Sequence, residues 1–207
     1  MDRNFADYWT DATKSREIVT VISQDFMKVP LQEIFLKTPV TVVSNLPYSS
    51  GTAILNRLSD YPVEIESMVL MFQKEVAERL HAEPNSNDWG SLSLWVQNRW
   101  DVEKLFLVPP GAFNPPPKVI SEVVLVKPRK TPRIDRSLEN LTLFDQLLRV
   151  SFQHRRKMMR SSLPKESPFY RALGDAGIAE TDRVEKLSWD EWNIWFQKIL
   201  NITEKAV

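Results

Sequence analysis

The sequence predicts an α/β fold followed by a small all-helical domain, on three observations. Through residues 1–130, short apolar runs alternate with stretches of helical spacing, the pattern of strands joined by crossover helices in a mostly parallel sheet. Past the segment 127–133, where prolines and charges interrupt the apolar periodicity, only helical spacing remains. The boundary therefore falls near residue 130, dividing a sheet domain at 1–130 from a helical domain at 131–207. The third observation is local: one apolar run stops at Asn45-Leu46-Pro47-Tyr48, a polar and aromatic cluster at the carboxyl end of a predicted strand. Open α/β sheets bind their ligands at that end.

Each element follows from its own residues. Residues 5–13 read as the end of a helix, 17–22 as a strand running towards Asp25, and 29–36 as a short helix. Val40-Thr41-Val42-Val43 reads as a buried strand leading into Asn45, and 50–59 as a helix. The continuous apolar run 68–72 suits a strand buried on both faces. Residues 73–80 and 90–96 read as helices, and 100–107 and 122–127 as late strands separated by a proline-rich loop. In the helical part Phe144, Leu148 and Phe152 share one face, while Trp189, Trp192 and Phe196 supply another. Ser188 with Asp190 and Glu191 makes a helix start there.

Composition narrows the chemistry. The absence of cysteine excludes disulfides, thiolate zinc sites and thiol nucleophiles. Two histidines, His81 and His154, make a multi-histidine metal site a poor expectation, and His81 reads as a surface residue near a helix end. No apolar stretch reaches the roughly 20 residues that cross a bilayer, and the first residues have neither signal nor transit character. A cytoplasmic protein is expected. The net charge of zero hides an asymmetry: residues 1–127 hold 12 Lys/Arg against 16 Asp/Glu, and residues 128–207 hold 15 against 11. A basic tail beside an acidic body points to a polyanionic partner.

Four groups of residues could carry chemistry. Asn45 offers a carbonyl acceptor and an amide donor, Pro47 stiffens the chain and extends Leu46, and Tyr48 adds a flat ring. Such a set can hold an exocyclic amine in line with an electrophile and stack on a purine; it is also ordinary turn chemistry. Asp25, followed by Phe26, either accepts from an adenine amine with an aromatic neighbour or simply caps the next helix. Five prolines and a glycine in the eleven residues 109–119 stiffen the loop around Phe113, which then serves as a second stacking plate or as an apolar plug. Finally, residues 146–165 contain six Lys/Arg and no acid, and Arg149, Gln153, Arg156 and Arg160 fall on one face at helical spacing. That stripe suits phosphate contacts or is a solvated helix face.

Taken in order, these segments resemble the rRNA adenine N6,N6-dimethyltransferase family. The matching pieces are Gln24-Asp25, the tetrapeptide at 45–48, residues 72–80, Gly90-Ser91-Leu92-Ser93, the loop at 108–113 and 115–119, Ser121, Phe152-Gln153, Arg155-Arg156-Lys157 and residues 184–188. The resemblance runs almost end to end. It implies a Rossmann-like methyltransferase sheet with a small helical RNA-binding domain, S-adenosylmethionine as methyl donor, and adjacent adenosines of small-subunit (16S-type) rRNA as acceptors, with the chain acting as a monomer in ribosome biogenesis. Carried over by position, Asp25 and Phe26 would meet the donor adenine, and Asn45 would touch donor and target amine. The Leu46 and Pro47 carbonyls would accept from that amine, while Tyr48 and Phe113 would sandwich the target base. Arg149, Arg155, Arg156, Lys157, Arg160 and Lys118 would meet RNA. No strong base is needed, because the sulfonium supplies the driving force and positioning is the main catalytic contribution; the target base must first leave its stack.

The sequence departs from the family pattern in two places. Ser49-Ser50-Gly51-Thr52 stands where the family has Asn-Ile-Ser or similar, a mild change at a helix start. At the front, Met1-Asp2 resembles the end of the family's second strand, one residue past the Glu that binds donor ribose, and no G-x-G-x-x-G occurs among the five glycines. Only part of the donor site is therefore expected in the chain as written, with a start assigned at an internal Met favoured over an engineered truncation or a natural fragment. If the sequence is complete, weak donor binding and poor folding are expected. Two rivals stand beside the dimethyltransferase reading. One is a non-catalytic rRNA-binding assembly factor that has lost the donor site. The other is an N6-adenine DNA or protein-glutamine methyltransferase, against which Leu46 and the Arg-Arg-Lys run argue.

Overall fold

The computed structural model describes residues 3–16, 18–35, 39–134 and 137–204, with the side chains of residues 3–5 and 138 outside that description. Helix α1 (Arg3–Ala12) comes first and carries Tyr8 and Trp9, both exposed, with their rings edge to face at 5.5 Å. A 3-10 turn (Phe26–Lys28) and the short α2 (Leu31–Ile34) lead to strand β1 (Val40–Asn45). Then follow α3 (Gly51–Leu58), β2 (Ile65–Gln73), α4 (Lys74–Leu80), α5 (Ser91–Gln97), β3 (Trp100–Val108) and β4 (Ser121–Pro128). The rest is helical: α6 (Leu138–Phe152), α7 (Met159–Ser162), α8 (Pro168–Asp175) and α9 (Trp189–Glu204).

The sheet has the order β1-β2-β4-β3 among the described residues, and it is mixed rather than mostly parallel. Only β1 and β2 run parallel, joined by α3 as a crossover; β4 is antiparallel to both β2 and β3. The reason lies in the connection. The loop 109–120 contains one 3-10 turn (Pro110–Ala112) and no crossover helix, so it returns the chain as a hairpin, and hairpins join antiparallel strands.

Two further expectations change. The predicted strand at 17–22 does not form: residues 18–25 have no regular structure, and Glu17 lies outside the described residues. A strand exists only as part of a ladder, and no described strand pairs with this segment. The helix read at 29–36 is shorter, four residues from Leu31, and Leu36 lies outside the described residues. Strand β1 is only half covered, alternating between half-buried and exposed residues, with Val43 74% exposed. It lies at the border of the sheet, so only the side bearing Val40 and Val42 packs on the core. In β2 one face is fully buried (Met68, Leu70, Phe72) and the other is mostly half-buried.

Two apolar clusters hold the chain together. One joins β2, β4, α3 and α4 through Leu55, Leu58, Met68, Leu70, Leu80 and Val124, all within 2% of full burial. The other gathers Phe144, Leu147, Trp192, Trp195, Phe196 and Ile199 of the helical part, and it draws in Ala82, Trp89 and Leu94 from residues before the predicted boundary. The expected faces of α6 and α9 meet there: Phe144 touches Trp192 and Phe196, and Phe152 stacks on Trp192 at 5.9 Å. At the start of α9, Ser188 Oγ accepts from the Glu191 amide at 3.3 Å while Glu191 Oε2 accepts from the Ser188 amide at 2.8 Å, the reciprocal arrangement of a capping box. The linking segment is pinned as well, since the Ile134 amide donates to Asn98 Oδ1 at 2.7 Å and Arg133 lies over the Trp189 ring at 4.7 Å.

Candidate functional site

The ladder registers bring four strand ends to one edge. Asn45 ends β1 beside Met71, Gln73 ends β2 beside Ser121, and Ser121 begins β4 beside Val108, the last residue of β3. The loop carrying Phe113 grows from that same edge, between Val108 and Ser121. Of the predicted residues, Asn45, Leu46, Pro47, Tyr48 and Phe113 thus sit on elements that meet at one rim.

Their surroundings differ. Asn45 is exposed, and Leu46 is buried with its amide donating to the Met71 carbonyl at 3.4 Å. The Pro47 carbonyl accepts the Ser50 amide at 3.0 Å, which closes the turn into α3 and uses one of its two lone pairs. Gly51 makes this turn fit: a Cβ there would come within 3.3 Å of two Phe72 ring carbons and 3.5 Å of Leu46 Cβ. Tyr48 is 39% exposed, and its hydroxyl lies 2.7 Å from Ser121 Oγ. Phe113 is half-buried, with its amide donating to the Pro110 carbonyl.

Asp25 caps the 3-10 turn, its Oδ1 accepting the Met27 amide at 3.0 Å. The carboxylate has further acceptor capacity for an amine and is exposed. Phe26, half-buried, lies under the Arg57 guanidinium at 5.7 Å. Arg57 also donates to the Phe26 and Val29 carbonyls, so α3 holds the 25–29 segment in place. Sequence reading missed Arg57, because nothing in a lone arginine on a helix marks partners 28 and 31 residues away.

The basic segment corrects the predicted stripe. Helix α6 ends at Phe152, residues 153–157 form a turn, and α7 begins only at Met159. Arg149, Gln153, Arg156 and Arg160 therefore do not share one helical face. Clustered cations with no acids between them repel within a helix, and the break spreads them over a turn. Arg149, Arg156, Lys157 and Arg160 are exposed, as is Lys118 on the proline loop. Arg155 is engaged: its Nε donates to Glu185 Oε2 and one Nη to the Asn87 carbonyl, both at 3.0 Å. Asn87, Arg155, Arg156, Arg183 and Glu185 line a recess of about 600 Å³. Arg183, 27 residues beyond Arg156, joins this basic group only through the fold.

Two other features were not legible. Glu122 is fully buried, with Oε1 2.7 Å from His81 Nε2 and Oε2 3.1 Å from Lys104 Nζ. His81 is thus a partner of a buried carboxylate rather than a surface residue, although it does cap α4. A cleft of about 690 Å³ opens between α3, α5 and α6, lined by Arg79, Trp95, Asp145, Arg149 and Phe152 among others. Burial there holds the Asp145 carboxyl above the usual carboxylate range, against the opposing pull of Arg99 and Arg149.

Among the described residues no cluster of His, Asp and Glu could hold a metal ion, and no helix is long and apolar enough to cross a membrane.

The fold is that of RNA methyltransferases with a helical C-terminal part. A dimethyladenosine transferase from Plasmodium falciparum superposes with a TM-score of 0.75 at 22% identity, covering 100% of this chain and 81% of that one. The 23S rRNA methyltransferase ErmE gives 0.68 at 20% identity, covering 96% and 79%. Sequence defines the membership more narrowly. The family model for ribosomal RNA adenine dimethylase matches residues 1–201. The chain is 39% identical over 181 residues to ribosomal RNA small subunit methyltransferase A of Wolbachia pipientis, covering 87% of this chain and 67% of the relative. The proteins of the same name from Nitrosomonas eutropha (37% identical, 93% and 73% covered) and Latilactobacillus sakei (38%, 82% and 61%) are similar. This chain belongs to the ribosomal RNA adenine dimethylase family, and it spans 61 to 73% of the length of these three relatives.

Proposed function

We propose that the chain transfers methyl groups from S-adenosylmethionine to the N6 amines of adjacent adenosines in small-subunit rRNA. The observation that carries this reading is the Asn45-Leu46-Pro47-Tyr48 turn at the open rim of the sheet in a chain that belongs to this family. In this reading the exposed Asn45 amide orients the target amine, the Leu46 and Pro47 carbonyls draw its lone pair towards the methyl group, and Tyr48 and Phe113 flank the base. Asp25 and Phe26 receive the donor adenine, which the open carboxylate and the Arg57-held ring suit. The donor supplies an electrophilic methyl; the protein supplies alignment.

Residues 1–130 carry this chemistry and 131–207 hold the RNA through Arg149, Arg156, Lys157 and Arg160, with Lys118 of the proline loop adding a phosphate contact from the sheet domain. Arg155 contributes by fixing the turn to Glu185 and Asn87. The protein works as a monomer in the cytoplasm during ribosome biogenesis.

The test is methyl transfer from labelled S-adenosylmethionine to unmodified small-subunit particles, followed by mass spectrometry of the RNA for N6,N6-dimethyladenosine. Formation of that nucleoside supports the reading. Tight RNA binding with neither donor binding nor transfer would instead make the chain a non-catalytic assembly factor.

A further inference from the structure

Ser121 takes no part in the roles above, yet it is the residue on which the tyrosine of the tetrapeptide turn is anchored. Its Oγ lies 2.7 Å from the Tyr48 hydroxyl across a separation of 73 residues. Ser121 is fully buried and sits in the ladder between Gln73 of β2 and Val108 of β3. Its neighbours are fixed too. The Lys74 amide donates to the Ile120 carbonyl at 3.0 Å, and the buried Glu122 carboxylate is held from one side by His81 and from the other by Lys104. The start of β4 is therefore tied to two strands and to the helix that follows β2.

A tyrosine ring has two soft torsions, and a turn residue alone fixes neither. A hydrogen bond at the far end of the ring fixes both while leaving ring surface open, and Tyr48 remains 39% exposed. The pair is not required for packing. Two apolar groups of the same shape, Ala and Phe, would fill this space at nearly the same stability, whereas removing only the phenol would leave the buried serine hydroxyl unsatisfied. Orientation is what the polar pair adds.

We propose that Ser121 is a positioning residue for methyl transfer, setting the plane of the Tyr48 ring against which the target adenine stacks. This rests on the reading of Tyr48 as a stacking plate, and the experiment separates the two. Methyl transfer would be measured for Tyr48→Ala, Tyr48→Phe, Ser121→Ala, Ser121→Thr and the Tyr48→Phe/Ser121→Ala double variant, with thermal unfolding alongside. Tyr48→Ala is expected to lose kcat at least 100-fold. Ser121→Ala and Tyr48→Phe are each expected to lose 5- to 20-fold in kcat, with KM for RNA unchanged within twofold. Ser121→Thr should recover to within threefold of wild type, and the double variant should be no slower than the slower single. NMR of the unsubstituted chain should show a Tyr48 hydroxyl proton protected from exchange, lost in Ser121→Ala. Wild-type turnover in Tyr48→Ala overturns the stacking reading itself. A collapse in Tyr48→Ala with wild-type kcat in Tyr48→Phe overturns the Ser121 role, even where Ser121→Ala fails to fold. A rapidly exchanging Tyr48 hydroxyl in the unsubstituted chain removes the anchor whether or not transfer is measurable.

Discussion

The region before β2 leaves several apolar side chains in solvent although Leu31, Leu55 and Leu58 are buried, whereas the helical part after β4 buries all three of its tryptophans. Before β2, Ile18 is 96% exposed, Val63 78%, Val43 74% and Tyr8 64%; in the helical part Trp192, Trp195, Phe196 and Ile199 are fully buried. Hydrophobic content is thus no guide to burial by itself. What decides is whether an element covers them: α9 lays its indole stripe on α6 and α8, whereas β1 ends the described sheet and leaves Thr41, Val43 and Asn45 exposed. The two regions are also secured differently. Interlocked rings secure the helices, and polar ties, Arg57 to the Phe26 and Val29 carbonyls above all, secure the 25–29 segment.

Substitutions should expose this contrast. Trp192→Ala removes a fully buried indole that touches Phe144, Phe152 and Trp195, and it should cost about 3–5 kcal/mol in denaturant unfolding. A cost under about 1 kcal/mol would mean the aromatic cluster is loosely packed. Arg57→Ala breaks two hydrogen bonds from a charged donor and should cost about 1–3 kcal/mol. Its signature is local, since amide exchange should accelerate at Lys28 and Val29 and not in α9. Uniform acceleration would show that the front segment is not held separately.

Asp145 gives a pH-dependent version of the same contrast. Its folded-state pKa is raised by burial, so the folded chain holds the proton more tightly than the unfolded one. The ionised carboxyl therefore opposes folding above the raised value, and stability from this group increases as pH falls from there to the ordinary carboxylate range. Asp145→Asn should raise the Tm at neutral pH, and the gain should shrink at acidic pH; a Tm lowered at neutral pH would mean that the pairing with Arg99 and Arg149 outweighs burial. The smallest effect is expected at Val43→Ala, within about 0.5 kcal/mol, because the side chain is already in solvent. A larger loss would reveal that something covers β1.

Much of this was legible in the sequence. The helices α3, α4, α5, α6 and α9 follow the apolar spacing, and β2, β3 and β4 follow continuous or β-rich runs. The tetrapeptide and its place at a strand's carboxyl end could be read because Asn-x-Pro-Tyr carries its own backbone constraints. The strand at 17–22 failed because periodicity signals an apolar face and cannot supply the neighbouring strand a ladder needs. The mixed direction of the sheet was missed because the length of the proline loop hid its role as a hairpin. The arginine stripe failed because spacing alone cannot see that α6 stops at Phe152. Ser121 stood out only as a piece of the family pattern, and its pairing with Tyr48, like Arg57, Arg183 and the Glu122 cluster, was beyond reach for one reason: each is defined by a partner at least 18 residues away.

The central claim is that the rim of the sheet aligns an adenine amine for methylation, and Asn45→Ala tests it most directly. Asn45 is exposed, so the substitution should leave the melting temperature and small-subunit rRNA binding within error of the unsubstituted chain. Single-turnover methyl transfer should fall at least about 100-fold, as expected when an aligning group is lost. Transfer at the unsubstituted rate would contradict the account.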